Sequence, residues 1–433
     1  GRQSLVGVIF KERGHLFLKP SDPKLADPMR LLPGKIHCAP GQAAVARITV
    51  WPSPGHALQG QVLEVLGDPA KPGVDMLMVV RKHDWPDKFS PVAVAEASRY
   101  PVNPGPNDFK GRQDLRHLPI LTIDGEDAKD FDDAISIEKT SSGYRLGVHI
   151  ADVSYYVVEG GVLDLEARER ATSLYLPDRC LPMLPPSLAD GLCSLKEGVP
   201  RVVVSVFMEY PHGSGVPKET RFALSVIQSR RRGIYEEIQQ VLDGTALKNV
   251  RDKYAPLESQ LKDMVALSRL VRKERERRGA VDFNFPEVKP ILDKDGIVLD
   301  VQKVARLESH RLIEDFMIAA NEAVATHLTR QQIPALFRAH EPPDTQDQEE
   351  LIAVLRAYKI PFKTQELIRP EGLQGLLMRL RGGPLEPLIS YMALRSLKMA
   401  VYSTANPGHF GLASVSYCHF TSPIRRYPDL VVH

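Results

Sequence analysis

Five short stretches near the start of the chain set hydrophobic against polar positions at strand-like spacing: LVGVIF (5–10), HLFLK (15–19), AAVARITVW (43–51), QGQVLEVLG (59–67) and VDMLMVV (74–80). Turns rich in Gly, Pro and Asp separate them, so each predicts a short β-strand. About five strands in roughly 80 residues suit an all-β OB-type barrel, placed over residues 1–82. Phe10, Phe17 and Trp51 fit either its core or a surface on which bases stack. Residues 83–117 carry Pro86, Pro91, Pro101, Pro104 and Pro106 with few apolar clusters, and predict a linker. Strand-like runs resume at 119–123, 134–138, 144–150, 201–210 and 219–227. Helical periodicity follows at 257–278, 307–330, 345–358 and 386–403. Strands followed by helices predict an α+β domain over residues 118–433.

Composition adds limits. The 433 residues hold 56 Lys+Arg and 54 Asp+Glu, a formal charge of +2, which excludes a simple polycation but not local nucleic-acid binding. No apolar run approaches a membrane span, and the opening GRQSLVGVIF has no signal-peptide core. Cys38, Cys180, Cys193 and Cys418 form no CxxC pair and read as reduced, mostly buried thiols of a cytoplasmic protein.

The charge is unevenly placed. Asp124, Glu126, Asp127, Asp130, Asp132 and Asp133 crowd around the single Lys129, whereas Arg230–Arg232 and the run Arg272, Lys273, Arg275, Arg277, Arg278 suggest a basic path. Two like charges 4 Å apart repel by about 4 kcal/mol at an effective dielectric near 20. A hard divalent cation such as Mg²⁺ or Mn²⁺ offsets such a cluster. An EF-hand does not fit, because the glycine and glutamate its loop requires are missing. Apolar Phe131, Ala134, Ile135 and Ile137 thread the acidic segment, which a solvated loop does not need. Residue spacing alone leaves a solvated acidic loop and a metal site both open. Clustered aspartates with Mg²⁺ and a nearby arginine favour phosphoryl transfer or phosphodiester hydrolysis.

LPILTIDGEDAKDFDDAISIE, HIADVSYYV (149–157), TSLYLPDRCLPMLPPSLADGLCSL (172–195), RLIEDFMIAANEAVA (311–325), PALFRAHE (334–341), GHFGLA (408–413) and YCHFTSPIRRYPDLVVH (417–433) resemble, in order, the RNase II/RNase R family of 3′→5′ exoribonucleases. The first domain is similar to that family's cold-shock-type OB barrel, and the second to its RNB-type catalytic domain. The resemblance implies that Asp124, Asp130, Asp132 and Asp133 hold Mg²⁺, and that Arg425 contacts the scissile phosphate. It implies that Tyr175 stacks on the 3′-terminal bases, that Phe283 in GAVDFNF is its partner, and that Glu314 lies near the terminal ribose. Arg426 reads as an RNA contact or as a pin for backbone or carboxylate. The substrate implied is the 3′ end of single-stranded RNA, cut processively to nucleoside 5′-monophosphates by a monomer in the cytoplasm during RNA decay. Family members continue past the point matching His433, so a C-terminally truncated piece is expected. Two rival readings remain: an inactive RNA-binding regulator on the same fold, and a different two-metal exonuclease with Asp124-Gly-Glu126 as a D-x-E motif.

Overall fold

Strand alternation closes the N-terminal segment on itself. The computed structural model describes residues 3–433 except Ala26, Gly55, Asn284 and Pro286. β1 (Ser4–Glu12), β2 (His15–Pro20), β3 (Met29–Leu31), β4 (Ala43–Val50) and β5 (Gln59–Gly67) form a closed barrel in the order β1-β2-β3-β5-β4. Leu5, Ile9, Leu18, Met29 and Ala46 fill it.

VDMLMVV is not the fifth strand but helix α1 (Val74–Lys82). Val74, Leu77 and Met78 stand at helical spacing and pack against Val6, Val45 and Leu66. Asp75 in the first turn and Arg81 and Lys82 in the last suit the helix dipole. The missing strand is β3, three residues too short to show alternation. Phe10 and Phe17 stack at 5.5 Å with both rings half-exposed, and Trp51 is 55% exposed, so none is a core residue.

The stretch 83–117 is only partly a connector. Helix α2 (Pro91–Ala97) buries Ala93 and Ala97, and β6 (Gln113–Asp114) joins the large sheet. Arg112 and Asp152 form a buried ion pair at 2.7 Å. One compact unit holds residues 1–90 together with 174–181 and 288–304, and the second holds the remainder.

The second unit is built on a seven-stranded mixed sheet in the order β14-β7-β8-β9-β12-β13-β6. Its strands are β7 (Leu121–Asp124), β8 (Asp133–Thr140), β9 (Gly143–Ala151), β12 (Pro200–Pro211), β13 (Glu219–Gln228) and β14 (Arg231–Ile234). Between β9 and β12 come α3 (Val162–Arg170) and the hairpin of β10 (Leu174–Tyr175) and β11 (Cys180–Leu181), the hairpin grouping with the barrel. Alternation along the strands buries both faces. Ile135, Leu146, Val148 and Met208 face α4 (Tyr235–Leu242), α5 (Lys248–Tyr254), α6 (Glu258–Arg277) and α7 (Glu308–Arg330). Ala134, Val203 and Phe207 face α2 and α3. The hairpin of β15 (Glu287–Leu292) and β16 (Val298–Val304) precedes α7.

After β17 (Phe337–Ala339), α8 (Glu349–Ala357), α9 (Thr364–Leu367), α10 (Pro370–Leu380) and α11 (Glu386–Arg395) make a separate helical cluster. The helix expected to reach 403 ends at Arg395, and β18 (Val401–Ser403) pairs with β17 instead. The chain reaches His433 through α12 (Tyr427–Val432). Cys193 and Cys418 are buried as expected, but Cys180 is exposed and Cys38 only half-buried. No helix among the described residues is long and apolar enough to cross a membrane.

Candidate active site

β7 ends on Asp124 and β8 begins on Asp133, with Leu121 and Ile135 paired between them. Two of the four aspartates therefore sit at the same end of adjacent strands, which run about 4.8 Å apart. The turn between them carries Asp130 and Asp132. Asp132 is 4% exposed, and its Oδ1 accepts the Ile424 amide at 2.8 Å while its Oδ2 lies 3.5 Å from Arg425 Nε. One buried carboxylate thus joins the acidic turn to the loop that brings the arginine.

The electrostatics follow from this crowding. Burial, then repulsion from Asp133 and Asp130, holds Asp124 well above the usual carboxylate range, with Arg232 and Arg425 opposing. Burial also holds Asp132 well above it, against Arg425 and the Ile424 amide. Asp133 is pushed up to about 6 by burial, against Arg425 and Arg426. Asp124 Oδ2 is buried and has no hydrogen-bond partner among the described residues. An all-oxygen, mutually repelling set with an orphaned oxygen fits a hard divalent cation. Among the described residues, no three His, Cys, Asp or Glu side chains already stand at coordinating geometry. Glu126 and Asp127 face solvent.

The two C-terminal arginines part company. Arg426 Nη2 donates to Asp429 Oδ1 at 2.6 Å, and Asp429 is fully buried, its Oδ1 also accepting the Ser422 amide at 2.8 Å. Arg426 therefore pins the loop. Arg425 keeps its side chain 42% exposed beside Asp132 and donates to Ser422 Oγ at 3.0 Å. Its carbonyl accepts the Ser173 amide and the Thr172 hydroxyl, both at 2.9 Å.

Glu314 and Phe283 are linked through a residue that the sequence reading did not single out. Arg306 donates to Asp282 Oδ1 at 2.6 Å and to Glu314 Oε2 at 2.7 Å, tying the GAVDFNF segment to α7. Phe283 is half-buried, packs on the α8–α11 cluster and stacks on Phe285 at 5.7 Å. One turn before Glu314, His310 stacks on Tyr235 at 4.1 Å, and Tyr235 directly follows β14, whose Ile234 pairs with Asp124. Tyr175 is 54% exposed on the hairpin that belongs to the barrel unit, two residues beyond Ser173.

The basic run is largely committed within the protein. Arg272 and Arg275 both hold Asp315, Arg277 holds Glu274, and Arg278 holds Glu322. Arg231 pairs with Glu197, and Arg230 donates to the Arg116 carbonyl. Most of these charges therefore have a carboxylate or carbonyl partner within the protein. Arg232 lies against the acidic turn. Its only signal in the sequence was membership in an arginine triplet, which says nothing about its target.

Comparison with known proteins shows the family and the fold. The RNB domain model matches residues 112–433, and the Cold shock domain model matches residues 17–90. The chain belongs to the RNB-domain family of exoribonucleases. It is similar to ribonuclease R of Thermotoga maritima, at 44% identity over 439 residues, covering 100% of this chain and 61% of that protein. Mycoplasma genitalium RNase R in complex with double-stranded RNA shares the fold at a TM-score of 0.93 and 26% identity, covering 100% of this chain and 76% of that one. Its complex with ribose-methylated single-stranded RNA gives 0.89 and 25% identity, covering 100% and 68%. The chain spans about half to three-fifths of the length of the curated relatives it matches.

Proposed function

We propose that this chain carries the catalytic unit of a metal-dependent 3′→5′ exoribonuclease that hydrolyses single-stranded RNA stepwise to nucleoside 5′-monophosphates. The observation that carries the reading is Asp132, whose buried carboxylate meets both the aspartate turn and Arg425. A divalent cation held by Asp124, Asp130, Asp132 and Asp133 would supply Lewis acidity and a water of lowered pKa. The chain's own groups do the rest. Arg425, half-exposed and permanently charged, receives the scissile phosphate and supports the charge that grows on it. Arg426 and Asp429 hold that loop in place. Phe283 offers a face for a base and Glu314 an acceptor for a ribose hydroxyl, while Tyr175 follows closely on the segment bonded to the Arg425 carbonyl. The stacked Phe10 and Phe17 give the barrel an aromatic face suited to single strands, and Trp51 is a separate exposed ring. The Mycoplasma relative solved with single-stranded RNA supports RNA as the partner.

The test is to incubate 3′-labelled and 5′-labelled single-stranded RNA with Mg²⁺, alongside EDTA and Asp132→Asn controls. Mononucleotides released from the 3′ end alone, and lost in both controls, are expected. Internal cuts, or full activity in EDTA, would overturn the reading. RNA bound but never cut by the unaltered chain would mark it as an inactive RNA binder.

A further inference from the structure

Between Asp124 and Asp130 the chain makes a turn with little regular structure of its own. Its residues must nevertheless place two carboxylates relative to each other. The far end of the turn is fixed by Ser194, whose hydroxyl donates to the Lys129 carbonyl at 2.7 Å and accepts the Phe131 amide at 3.1 Å. The Leu195 amide adds a bond to the Phe131 carbonyl at 3.0 Å. At the near end a single side chain serves. Arg232 Nη2 donates to the carbonyls of Gly125 (3.2 Å), Glu126 and Ala128 (3.5 Å). The guanidinium also lies over the buried Phe131 ring, 5.3 Å from its centre.

Arg232 is itself held rigidly. It sits on β14, where it pairs with Thr122 two residues before Asp124, and its amide donates to Glu197 Oε2 at 2.8 Å. At the next position, Gly233, an added Cβ would come within 2.9 Å of the Thr122 carbonyl, so β14 approaches β7 as closely as a glycine allows. A planar guanidinium can lie over a ring face while one of its nitrogens reaches the carbonyls, which a tetrahedral ammonium cannot do.

We propose that Arg232 is a positioning residue for the metal-binding carboxylates. It clamps the 125–128 backbone to the sheet, and thereby sets the approach of Asp124 to Asp130. The proposal rests on the metal-dependent reading above, and it has a sign that separates it from a simple charge effect. A cation beside Asp124 repels a second cation, so removing Arg232 purely as a charge would tighten divalent-metal binding. Removing it as a clamp loosens the carboxylates and weakens that binding.

The experiment titrates the metal-free chain with Mn²⁺ by electron paramagnetic resonance, comparing the unaltered protein with Arg232→Ala, Arg232→Gln and Arg230→Ala. The Mg²⁺ dependence of mononucleotide release and the metal-free melting temperature are measured in parallel. Arg232→Ala is expected to weaken Mn²⁺ binding about tenfold and to raise the half-saturating Mg²⁺ to match. Arg232→Gln, neutral but still able to donate to a carbonyl, should fall between it and the unaltered protein. Arg230→Ala, whose guanidinium bonds only the Arg116 carbonyl among the described residues, should leave both unchanged. If Arg232→Ala does not fold, the glutamine variant decides by the same criterion. Mn²⁺ binding as tight as, or tighter than, that of the unaltered protein in the folded variants overturns the proposal while leaving the functional reading in place. An unaltered chain that binds no Mn²⁺ sinks both.

Discussion

Arg425 and Arg426 are neighbours of identical chemistry, and only their partners separate them. Arg426 is spent on the fully buried Asp429, whereas Arg425 stands beside Asp132 with its side chain 42% exposed. Losing Arg426 leaves a buried carboxylate without its cation, at about 3–5 kcal/mol. On the proposed function, losing Arg425 removes a donor aimed at developing charge, worth about 10²–10³-fold in kcat. Arg426→Ala should therefore lower the urea midpoint strongly, and Arg425→Ala should lower kcat at nearly unchanged stability. The reverse pattern, measured by urea unfolding and single-turnover kinetics, would assign the phosphate contact to the wrong arginine. The family motif marked the pair, but the division of labour needed the fold.

For whole elements, legibility followed length. α6 and α7 show their apolar stripe plainly, and both lie within a residue or two of the periodic stretches 257–278 and 307–330. Short pieces failed: β3 has too few residues to alternate, and VDMLMVV is apolar enough to suit a strand or a buried helix. What locks α6 to α7 was also hidden. Ser268 (2.7 Å), Arg272 (3.0 Å) and Arg275 (2.7 Å) all bond to Asp315, which is 2% exposed. The basic run thus exists largely to satisfy carboxylates on the facing helix. Asp315→Ala would remove the buried partner shared by Arg272 and Arg275, leaving Arg272 with Glu308, and should cost about 3 kcal/mol in chemical unfolding. A loss below about 1 kcal/mol would show that the lock does not hold the helices together.

Over the whole molecule, the sheet is buried on both faces, so any titratable group inside it couples global stability to pH. His149 is fully buried on β9, hydrogen-bonded through its two ring nitrogens to Ser136 (3.0 Å) and Ser205 (2.8 Å). Burial pushes its pKa down to about 3. The unfolded imidazole takes up a proton below about 6.5 and the folded one does not, so its contribution to stability is intact above about 6.5. That contribution is lost as pH falls from there toward about 3, by about 1.4 kcal/mol per pH unit. Asp133, pushed up to about 6, acts in the opposite direction, so a variant comparison is needed to isolate the histidine. His149→Gln should be less stable than the unaltered protein near pH 7.5, and the gap should narrow by pH 5. Parallel unfolding curves at both pH values would refute this.

The sequence by itself determined the order of the parts, a β-barrel and then an α+β unit, and the identity of the acidic turn. These are local properties: alternation, turn residues and a cluster of carboxylates within one short segment. Tertiary structure decided which charges are committed and which are available, because that depends on partners far away in the chain. Asp132 meets Ile424 and Arg425, Arg232 meets the carbonyls of Gly125, Glu126 and Ala128, and Arg272 and Arg275 turn onto the buried Asp315. A nearly neutral sum of charges cannot show this, because an ion pair and two free ions contribute equally to it.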